Sequence, residues 1–223
     1  MPIKAFLFDL DGVIVDTAIY HYQAWKRLAN ELGFDISEEF NEQLKGVSRT
    51  DSLAIILAHG NLTLPDEEKT RLATQKNEWY LELVSRMTSD DILPGVPAFF
   101  SQVRQLGLLT ALGSVSKNAP LILERIGMSN VFDAIIDGNK ISKGKPDPEV
   151  FTKGAAELGV QPAECVVFED AVAGVEAGKR GGMFVVGLGS PDVLTQADFV
   201  RPSLEAFTVE ELLSQIEIDA KAV

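Results

Sequence analysis

Cysteine and long apolar runs are almost absent from this 223-residue sequence. Its single cysteine, Cys165, has no partner for an internal disulfide, as is usual in a reducing compartment. No apolar run approaches the ~20 residues that a membrane-spanning helix needs. The first residues also lack the basic, apolar and small-residue segments of a secretory signal. We therefore expect a cytoplasmic protein that is held together without disulfides.

Basic residues are scarce compared with acidic ones. The sequence has 20 lysines and arginines against 33 aspartates and glutamates, which gives a formal net charge of −13. A field of this sign repels nucleic-acid phosphates and anionic lipid headgroups alike. We expect neither nucleic acid nor a membrane surface as a partner. The apolar fraction of 46% is ordinary for a globular protein and is enough to form a sizeable core.

Short and almost continuously apolar segments recur along the chain at the length of β-strands. Such segments are typical of buried parallel strands, and helical patterns lie between them. Several helical patterns end at a glycine placed as a left-handed cap: Gly107, Gly127, Gly159 and Gly182. The alternation predicts an α/β fold with a doubly wound, Rossmann-like parallel sheet. The predicted strands are 5–10, 108–113, 134–137, 165–168 and 183–188.

About eighty residues without a convincing strand follow the first strand. Their apolar residues recur at helical spacing, which predicts a small inserted helical domain. Pro94 and Gly95 mark the return of the chain to the sheet. We assign residues 1–14 and 93–223 to the α/β core and residues 15–92 to an inserted helical cap domain. The two linkers would lie side by side and form a hinge.

Acidic residues follow two of the predicted strands. Asp9 and Asp11 come at the end of the first strand, and an i, i+2 pair in extended chain points to one side of the backbone. In open α/β sheets, ligands bind in the crevice beyond the carboxyl ends of the strands. The alternative is that these aspartates only cap the following turn, with Gly12 providing the bend.

Hydroxyl groups and a lysine follow the second predicted strand. Ser114, Ser116, Lys117 and Asn118 precede a helix with Pro120 in its first turn. Hydroxyls, a cation and free backbone N–H groups at a helix start favour a phosphate site. The alternative is simple helix capping by Ser116.

Lys145 and the pair Glu169-Asp170 complete this set of polar residues. Pro146 restricts Lys145 to an extended backbone, whereas Lys143 next to a glycine is expected to be solvated surface. Clustered carboxylates without nearby histidine or thiolate indicate hard oxygen ligands, which Mg²⁺ prefers. We expect a Mg²⁺ site with Asp9, Asp11, Glu169 and Asp170 as ligands. The alternative for Asp170 alone is an ordinary helix N-cap.

The order of these residues resembles the four motifs of the haloacid dehalogenase superfamily of aspartate-nucleophile phosphotransferases, and the likeness spans nearly the whole chain: Asp9-x-Asp11, Ser114, Lys145 and Glu169-Asp170. The resemblance implies that Asp9 becomes phosphorylated and that Asp11 acts as general acid and base. It also implies that Ser114 and Lys145 hold the transferring phosphoryl group while Glu169 and Asp170 ligate Mg²⁺. The helical insertion would be the cap that closes over the substrate.

Residues of the insertion add a second group of candidates. Thr17, His21 and Trp25 recur every four residues, so one helix face can present them toward Asp11, although a lone helical histidine is more often structural. By resemblance, Lys76 reaches the same acid/base group, and surface charge is its alternative. A further cap segment resembles the part of some family members that contacts a sugar phosphate: Gly46, Val47, Ser48, Arg49 and Ser52. Arg49 can bind a phosphate through two hydrogen bonds.

The same cap segment indicates which reaction of the superfamily we expect. It resembles the caps of sugar phosphomutases in this superfamily, which implies interconversion of β-D-glucose 1-phosphate and D-glucose 6-phosphate through a bound 1,6-bisphosphate and a phosphoaspartyl enzyme. Lys117, Ser116 and Asn118 would then help Arg49 to hold the phosphate that is not reacting. The alternative is a sugar-phosphate phosphatase of the same superfamily, in which water resolves the phosphoaspartate. We expect sugar phosphates as the partners of a monomeric enzyme.

Overall fold

A computed structural model describes residues 2–221, with side chains described as far as residue 218. Its centre is a sheet of parallel strands in the order β3-β2-β1-β4-β5-β6. This sheet confirms the predicted α/β fold. The strands are β1 (Ala5–Phe8), β2 (Leu109–Gly113), β3 (Ala134–Ile136), β4 (Cys165–Glu169), β5 (Phe184–Leu188) and β6 (Phe199–Arg201).

Helices cover both faces of the sheet. Phe6 and Phe8 of β1 point to a cluster with helices α5, α6 and α9, whereas Leu7 points to a cluster with α7 and α8. Alternate residues of one strand thus pack on opposite layers, as the two-residue repeat of a strand requires. The helices are α5 (Val96–Gln105), α6 (Ala119–Arg125), α7 (Glu149–Glu157), α8 (Val172–Arg180) and α9 (Val209–Lys221).

Residues between β1 and α5 form the helical insertion. Its helices share an apolar cluster built around Trp25, Leu28, Ile56 and Leu72. Entry and exit strands lie side by side, because the Leu93 N–H donates to the Ile14 carbonyl at 2.9 Å. The division at 14/15 and 92/93 stays a prediction. The helices are α1 (Ala18–Glu31), α2 (Glu38–Glu42), α3 (Arg49–His59) and α4 (Asp66–Val84).

Local signals in the sequence have the expected structural counterparts. All four glycines predicted as caps have a positive φ, between 68° and 75°. Thr208 and Glu211 bond each other's backbone N–H at the start of α9, which forms a capping box. The sequence prediction missed β6, whose residues are only half-buried and therefore lack the apolar signal of the inner strands. Among the described residues, no helix is long and apolar enough to cross a membrane.

Candidate active site

The carboxyl ends of β1, β2 and β4 place the predicted polar residues in one crevice. Asp9 follows β1, Ser114 follows β2, and Glu169 is the last residue of β4. Because these three strands are neighbours in register, their ends meet at the same edge of the sheet. All three side chains are buried, although each is polar. Buried polar groups at this edge indicate a site and not a solvated rim.

Lys145 joins two of these carboxylates. Its Nζ lies 2.6 Å from Asp9 Oδ1 and 2.5 Å from Glu169 Oε1. Burial disfavours the charge on Lys145, but the two carboxylates outweigh this effect and raise its pKa. The lysine is therefore a fixed cation beside Asp9. This contact supports the prediction that Lys145 is held stiffly, while Lys143 is exposed as expected.

Three carboxylates offer a set of oxygens that fits a divalent cation. One oxygen from each of Asp9, Glu169 and Asp170 lies within 4.8 Å of the others. Burial, followed by the charge of Asp9, raises the pKa of Asp170 to about 7. Burial also raises the pKa of Glu169, against the opposing charge of Lys145. A hard cation would relieve this repulsion, so the donor set fits the predicted Mg²⁺.

The contacts of the Asp170 and Asp11 carboxylates differ from those that the sequence suggested. Asp170 makes no capping hydrogen bond to α8, so the N-cap alternative is wrong. The carboxylate of Asp11 does not belong to the three-carboxylate set and accepts a hydrogen bond from the Thr17 hydroxyl. Its assignment as a metal ligand stays a prediction. Burial and the charge of Asp9 raise the pKa of Asp11 to about 7, which suits a group that exchanges protons near neutral pH.

The hydrogen bond to Asp11 continues into the cap. The hydroxyl of Tyr80 on α4 donates to Thr17 Oγ1 at 3.3 Å, and Thr17 is completely buried. Tyr80 also stacks on the His21 ring with centroids 4.1 Å apart. Tyr80 therefore links the acid/base candidate to the cap helices. The sequence prediction missed this role, since the only signal of Tyr80 was its place in a helical repeat.

Helices α1 and α4 bring His21, Trp25 and Lys76 together. Lys76 Nζ lies 2.7 Å from His21 Nδ1 and 4.3 Å from the centroid of the Trp25 ring. Lys76 is only 1% exposed, so the surface alternative for it is wrong. Burial lowers the pKa of Lys76, and the nearby Arg49 lowers it further. Burial and the same two cations lower the pKa of His21, which favours an uncharged imidazole.

Arg49 begins α3 at the edge of a shared cavity. Ser48 caps this helix by accepting the Asp51 N–H, and Arg49 is half-buried. Burial lowers the pKa of Arg49, and no carboxylate among the described residues forms an ion pair with it. The cavity has a volume of about 1030 Å³, and core and cap residues line it together. Its lining includes Asp9, Asp11, His21, Trp25, Gly46, Val47, Ser48, Arg49, Ser52, Lys76, Ser114, Ser116, Lys117, Asn118 and Asp170.

The segment after β2 is an ordered turn on the core side of this cavity. Ser114 Oγ accepts the Ser116 N–H, and Ser116 Oγ accepts the Asn118 N–H. The N-cap of α6 is Asn118, and no side chain caps the helix, so the capping alternative for Ser116 is wrong. The Asn118 side chain donates to Asn77 Oδ1 of α4 at 2.9 Å. This bond connects core and cap beside the cavity, and the sequence prediction missed Asn77.

Lys45 makes a second connection between cap and core. Its Nζ lies 4.0 Å from Asp170 Oδ2 and 2.9 Å from Glu42 Oε2. Lys45 precedes the predicted sugar-phosphate segment in sequence, but its charge alone did not distinguish it from surface lysines. The structure brings it to the edge of the carboxylate set. The remaining histidine, His59, ends α3 and packs against Phe40 outside this cavity.

Two glycines leave room for the carboxylates. Gly12 has φ +74°, and a Cβ there would overlap the Asp170 carboxylate. Gly174 lies in the first turn of α8, where a Cβ would overlap the Glu169 carboxylate. Glu169 and Asp170 therefore lie directly against backbone. This close approach depends on the absence of a side chain at both positions.

Comparison with known proteins defines the class of this site. The haloacid dehalogenase-like hydrolase family matches residues 3–182 of the chain. This match includes β1, the insertion and the strand ends that carry Ser114 and Glu169. The chain therefore belongs to the haloacid dehalogenase-like hydrolase family.

Two relatives within this family are similar to the chain over nearly its whole length. It is 42% identical over 216 residues to the β-phosphoglucomutase of Bacillus subtilis, across 96% of both chains. A crystal structure of β-phosphoglucomutase from Clostridium difficile matches with TM-score 0.93 and 42% identity, covering 97% of this chain and 99% of that one. A phosphorylated carbohydrates phosphatase of Thermotoga maritima is 30% identical over 183 residues, across 81% of this chain and 82% of the relative.

Proposed function

We propose that the chain is a Mg²⁺-dependent β-phosphoglucomutase that interconverts β-D-glucose 1-phosphate and D-glucose 6-phosphate. One observation carries this proposal. A single cavity is lined by the carboxylates of Asp9 and Asp170 on its core side and, on its cap side, by Arg49 and Lys76, for which no ion pair is found among the described residues. A mutase that passes through a bisphosphate needs two phosphate sites, whereas hydrolysis needs one. The similarity to β-phosphoglucomutase in sequence and structure supports the same conclusion.

The core side would bind the phosphoryl group that transfers. Asp9 attacks phosphorus and becomes the phosphoaspartate, and the sugar oxygen leaves. The Lys145 ammonium, 2.6 Å from Asp9, is placed to hold a phosphoryl oxygen together with the Ser114 hydroxyl. Mg²⁺ held by Asp9, Glu169 and Asp170 would supply further positive charge there. These residues hold the reacting group without any contribution from the cap.

Asp11 would move the proton that accompanies each transfer. It gives a proton to the leaving sugar oxygen and takes one from the hydroxyl that attacks the phosphoaspartate. Thr17 donates a hydrogen bond to its carboxylate, and Tyr80 orients Thr17 in turn. The raised pKa of about 7 favours both protonation states at neutral pH. Cap and core together thus position the proton carrier.

The cap side would hold the phosphate that does not react. Arg49 lines the cavity without a carboxylate partner among the described residues, and its guanidinium can form two hydrogen bonds with a phosphate. Arg49 is near enough to Lys76 for its charge to lower the lysine pKa, so an anion between the two would be attractive. Lys117, Ser116 and Asn118 complete this second subsite from the core.

A sugar-phosphate phosphatase is the second candidate, because one phosphatase relative is 30% identical to the chain. Phosphorus NMR of the protein with Mg²⁺, β-glucose 1-phosphate and a trace of the 1,6-bisphosphate separates the two. Accumulation of glucose 6-phosphate supports the mutase. Release of inorganic phosphate as the main product supports the phosphatase, and an unchanged spectrum contradicts both.

A further inference from the structure

The carboxylate of Glu149 has several partners, and the proposed mechanism does not use it. Glu149 is the first residue of α7. Its Oε2 atom accepts the Ser142 N–H at 2.9 Å, the Ser142 hydroxyl at 2.9 Å and the Lys143 N–H at 2.7 Å. Its Oε1 atom lies 2.6 Å from Lys153 Nζ. One carboxylate thus joins the start of α7 to the loop that precedes it.

The ordinary role of an acidic residue in a first helical turn explains only part of these contacts. Such a residue interacts well with the helix dipole and with a lysine four positions later, here Lys153. Helix stability does not require the bonds to Ser142 and Lys143, which lie outside α7. The hydrogen bond with Lys153, followed by those from the loop, lowers the pKa of Glu149 to about 2. Glu149 is therefore ionised at neutral pH, as a strong acceptor should be.

The bonds from Glu149 close a short loop that contains Lys145. The loop comprises residues 142–149, and its ends meet at the Glu149 carboxylate. Inside it, the Asp147 N–H donates to the Gly144 carbonyl at 3.0 Å, and Asp147 Oδ1 accepts the Glu149 N–H at 3.0 Å. Closing a loop removes backbone conformations from the residues within it. The backbone at Lys145 is therefore fixed from both sides.

We propose that Glu149 is a positioning residue that closes the loop 142–149 and thereby holds the Lys145 ammonium against Asp9. This inference rests on the proposed phosphoryl transfer at Asp9 and adds a residue that does not line the cavity. Without the carboxylate, the loop opens and Lys145 samples positions away from Asp9. The positive charge that would hold the phosphoryl oxygen is then present for only part of the time.

Glu149→Leu removes the acceptor and provides the first test. We expect phosphorylation of Asp9 by acetyl phosphate and Mg²⁺ to slow about tenfold to a hundredfold, the factor for lost hydrogen bonds to a charged group. Glu149→Gln keeps an acceptor oxygen for the loop and should stay within about threefold of wild type. The matched control is Glu157→Leu, which changes an exposed glutamate of α7 that pairs with Lys140 at 3.4 Å and should leave the rate unchanged. Intact-protein mass spectrometry follows the phosphate taken up.

Acetylation of lysines by acetic anhydride separates positioning from a general loss of folding. Lys145 is 5% exposed and Lys76 is 1% exposed, so the core and the cap each have a protected lysine. We expect Lys145 of Glu149→Leu to be acetylated about tenfold faster than in wild type, because the loop opens more often. Lys76 should stay as protected as before. Peptide mass spectrometry measures both lysines in one sample.

Each other outcome contradicts the inference or the proposed function. If Lys145 and Lys76 both become reactive, Glu149 serves the fold in general and the inference is wrong. It is also wrong if Glu149→Leu keeps the wild-type rate of phosphorylation or the wild-type protection of Lys145. If wild-type protein takes no phosphate from acetyl phosphate, the proposed function fails, and the acetylation of Lys145 still decides whether Glu149 holds it.

Discussion

One buried lysine lines the cap side of the cavity and another lies behind Asp9 on its core side, and the two lysines, Lys76 and Lys145, have different partners. Lys145 contacts two carboxylates, Asp9 and Glu169, at 2.6 and 2.5 Å. Lys76 contacts an imidazole and two aromatic rings, and no ion pair forms with it among the described residues. The surroundings raise the pKa of Lys145 and lower that of Lys76. The buried lysine of the core is therefore paired by carboxylates of the protein, whereas the buried lysine of the cap has no anionic partner among the described residues.

The largest expected effect concerns Asp9, the proposed nucleophile on the core side. Asp9→Asn is nearly isosteric but cannot form an acyl phosphate, so we expect turnover to fall by on the order of 10⁴-fold or more. Coupled formation of glucose 6-phosphate measures this loss, and circular dichroism checks that the fold is intact. A variant with substantial activity would remove Asp9 from the role of nucleophile.

Removal of the core lysine tests whether the core charges are mutually dependent. Lys145→Met leaves Asp9 and Glu169 close together without their cation, and we expect stability to fall by roughly 3–5 kcal/mol. Denaturant unfolding in the absence of metal measures the change. Lys143→Met is the matched control in the same loop, and its exposed side chain should give a change within about 0.5 kcal/mol. Equal effects of the two substitutions would show that the ion pairs of Lys145 with Asp9 and Glu169 do not stabilise the core.

Removal of the cap guanidinium tests the second phosphate subsite. Arg49→Ala loses a charged hydrogen-bonding partner, which costs roughly 2–5 kcal/mol, so kcat/KM for the mutase reaction should fall about thirtyfold to several-thousandfold. Hydrolysis of the phosphoaspartate by water does not use Arg49 and should change little. A coupled assay follows the first rate, and phosphate release from protein treated with acetyl phosphate follows the second.

The control for this variant is Arg71→Ala, an exposed arginine of α4 that pairs with Glu68. It should leave both rates unchanged. If Arg49→Ala lowers both rates together, Arg49 serves folding or cap closure in general. If neither rate falls, other residues hold the phosphate that does not react.

The smallest expected effect is a gain in stability, whereas Lys145→Met is expected to lower stability. Lys76→Met removes a buried charge without a carboxylate partner, and we expect the free energy of unfolding to rise by about 1 kcal/mol at neutral pH. Because the pKa of Lys76 is lowered in the folded state, the unfolded chain binds more protons, and wild-type stability recovers as pH rises toward the ordinary lysine pKa. The gain should therefore shrink as the pH rises from neutrality toward the ordinary lysine pKa.

Urea unfolding of wild type and variant across this pH range measures the gain. Lys69→Met on the same helix is the control, because Lys69 is only half-buried and pairs with Asp66 at 3.0 Å. Its effect should be within about 0.5 kcal/mol. Destabilisation by Lys76→Met at every pH would show that its contacts with His21 and Trp25 outweigh the cost of burying its charge.

The sequence predicts the core side of this cavity better than the cap side. Asp9, Ser114 and Glu169 follow apolar strands, and parallel strands fix where such residues meet. The cap contacts arise between helices far apart in sequence, so Tyr80 with Thr17, and Asn77 with Asn118, have no local signal. Thr17, His21 and Trp25 were predictable because one helical spacing aligns them.

The burial of polar residues is a second feature that the sequence does not predict. Lys76 and Asn41 are polar, and a polar residue between helical apolar positions predicts an exposed face. Only the packed structure shows that both are covered. Likewise, the spacing of Asp9 and Asp11 predicts that both carboxylates share one site, but it does not predict the hydrogen bond between the Asp11 carboxylate and Thr17. Spacing fixes the side of the backbone but not the rotamer.

The glycines at 12 and 174 have a consequence for how this sequence can vary over evolutionary time. Neither residue has a functional group, yet each leaves the space that the carboxylate of Asp170 or Glu169 occupies. The mildest substitution, the addition of one methyl group, displaces Asp170 or Glu169 without any change in charge or polarity. Part of the inherited information for the proposed metal site therefore resides in two residues that have no side chain, and their contribution is the space they leave free.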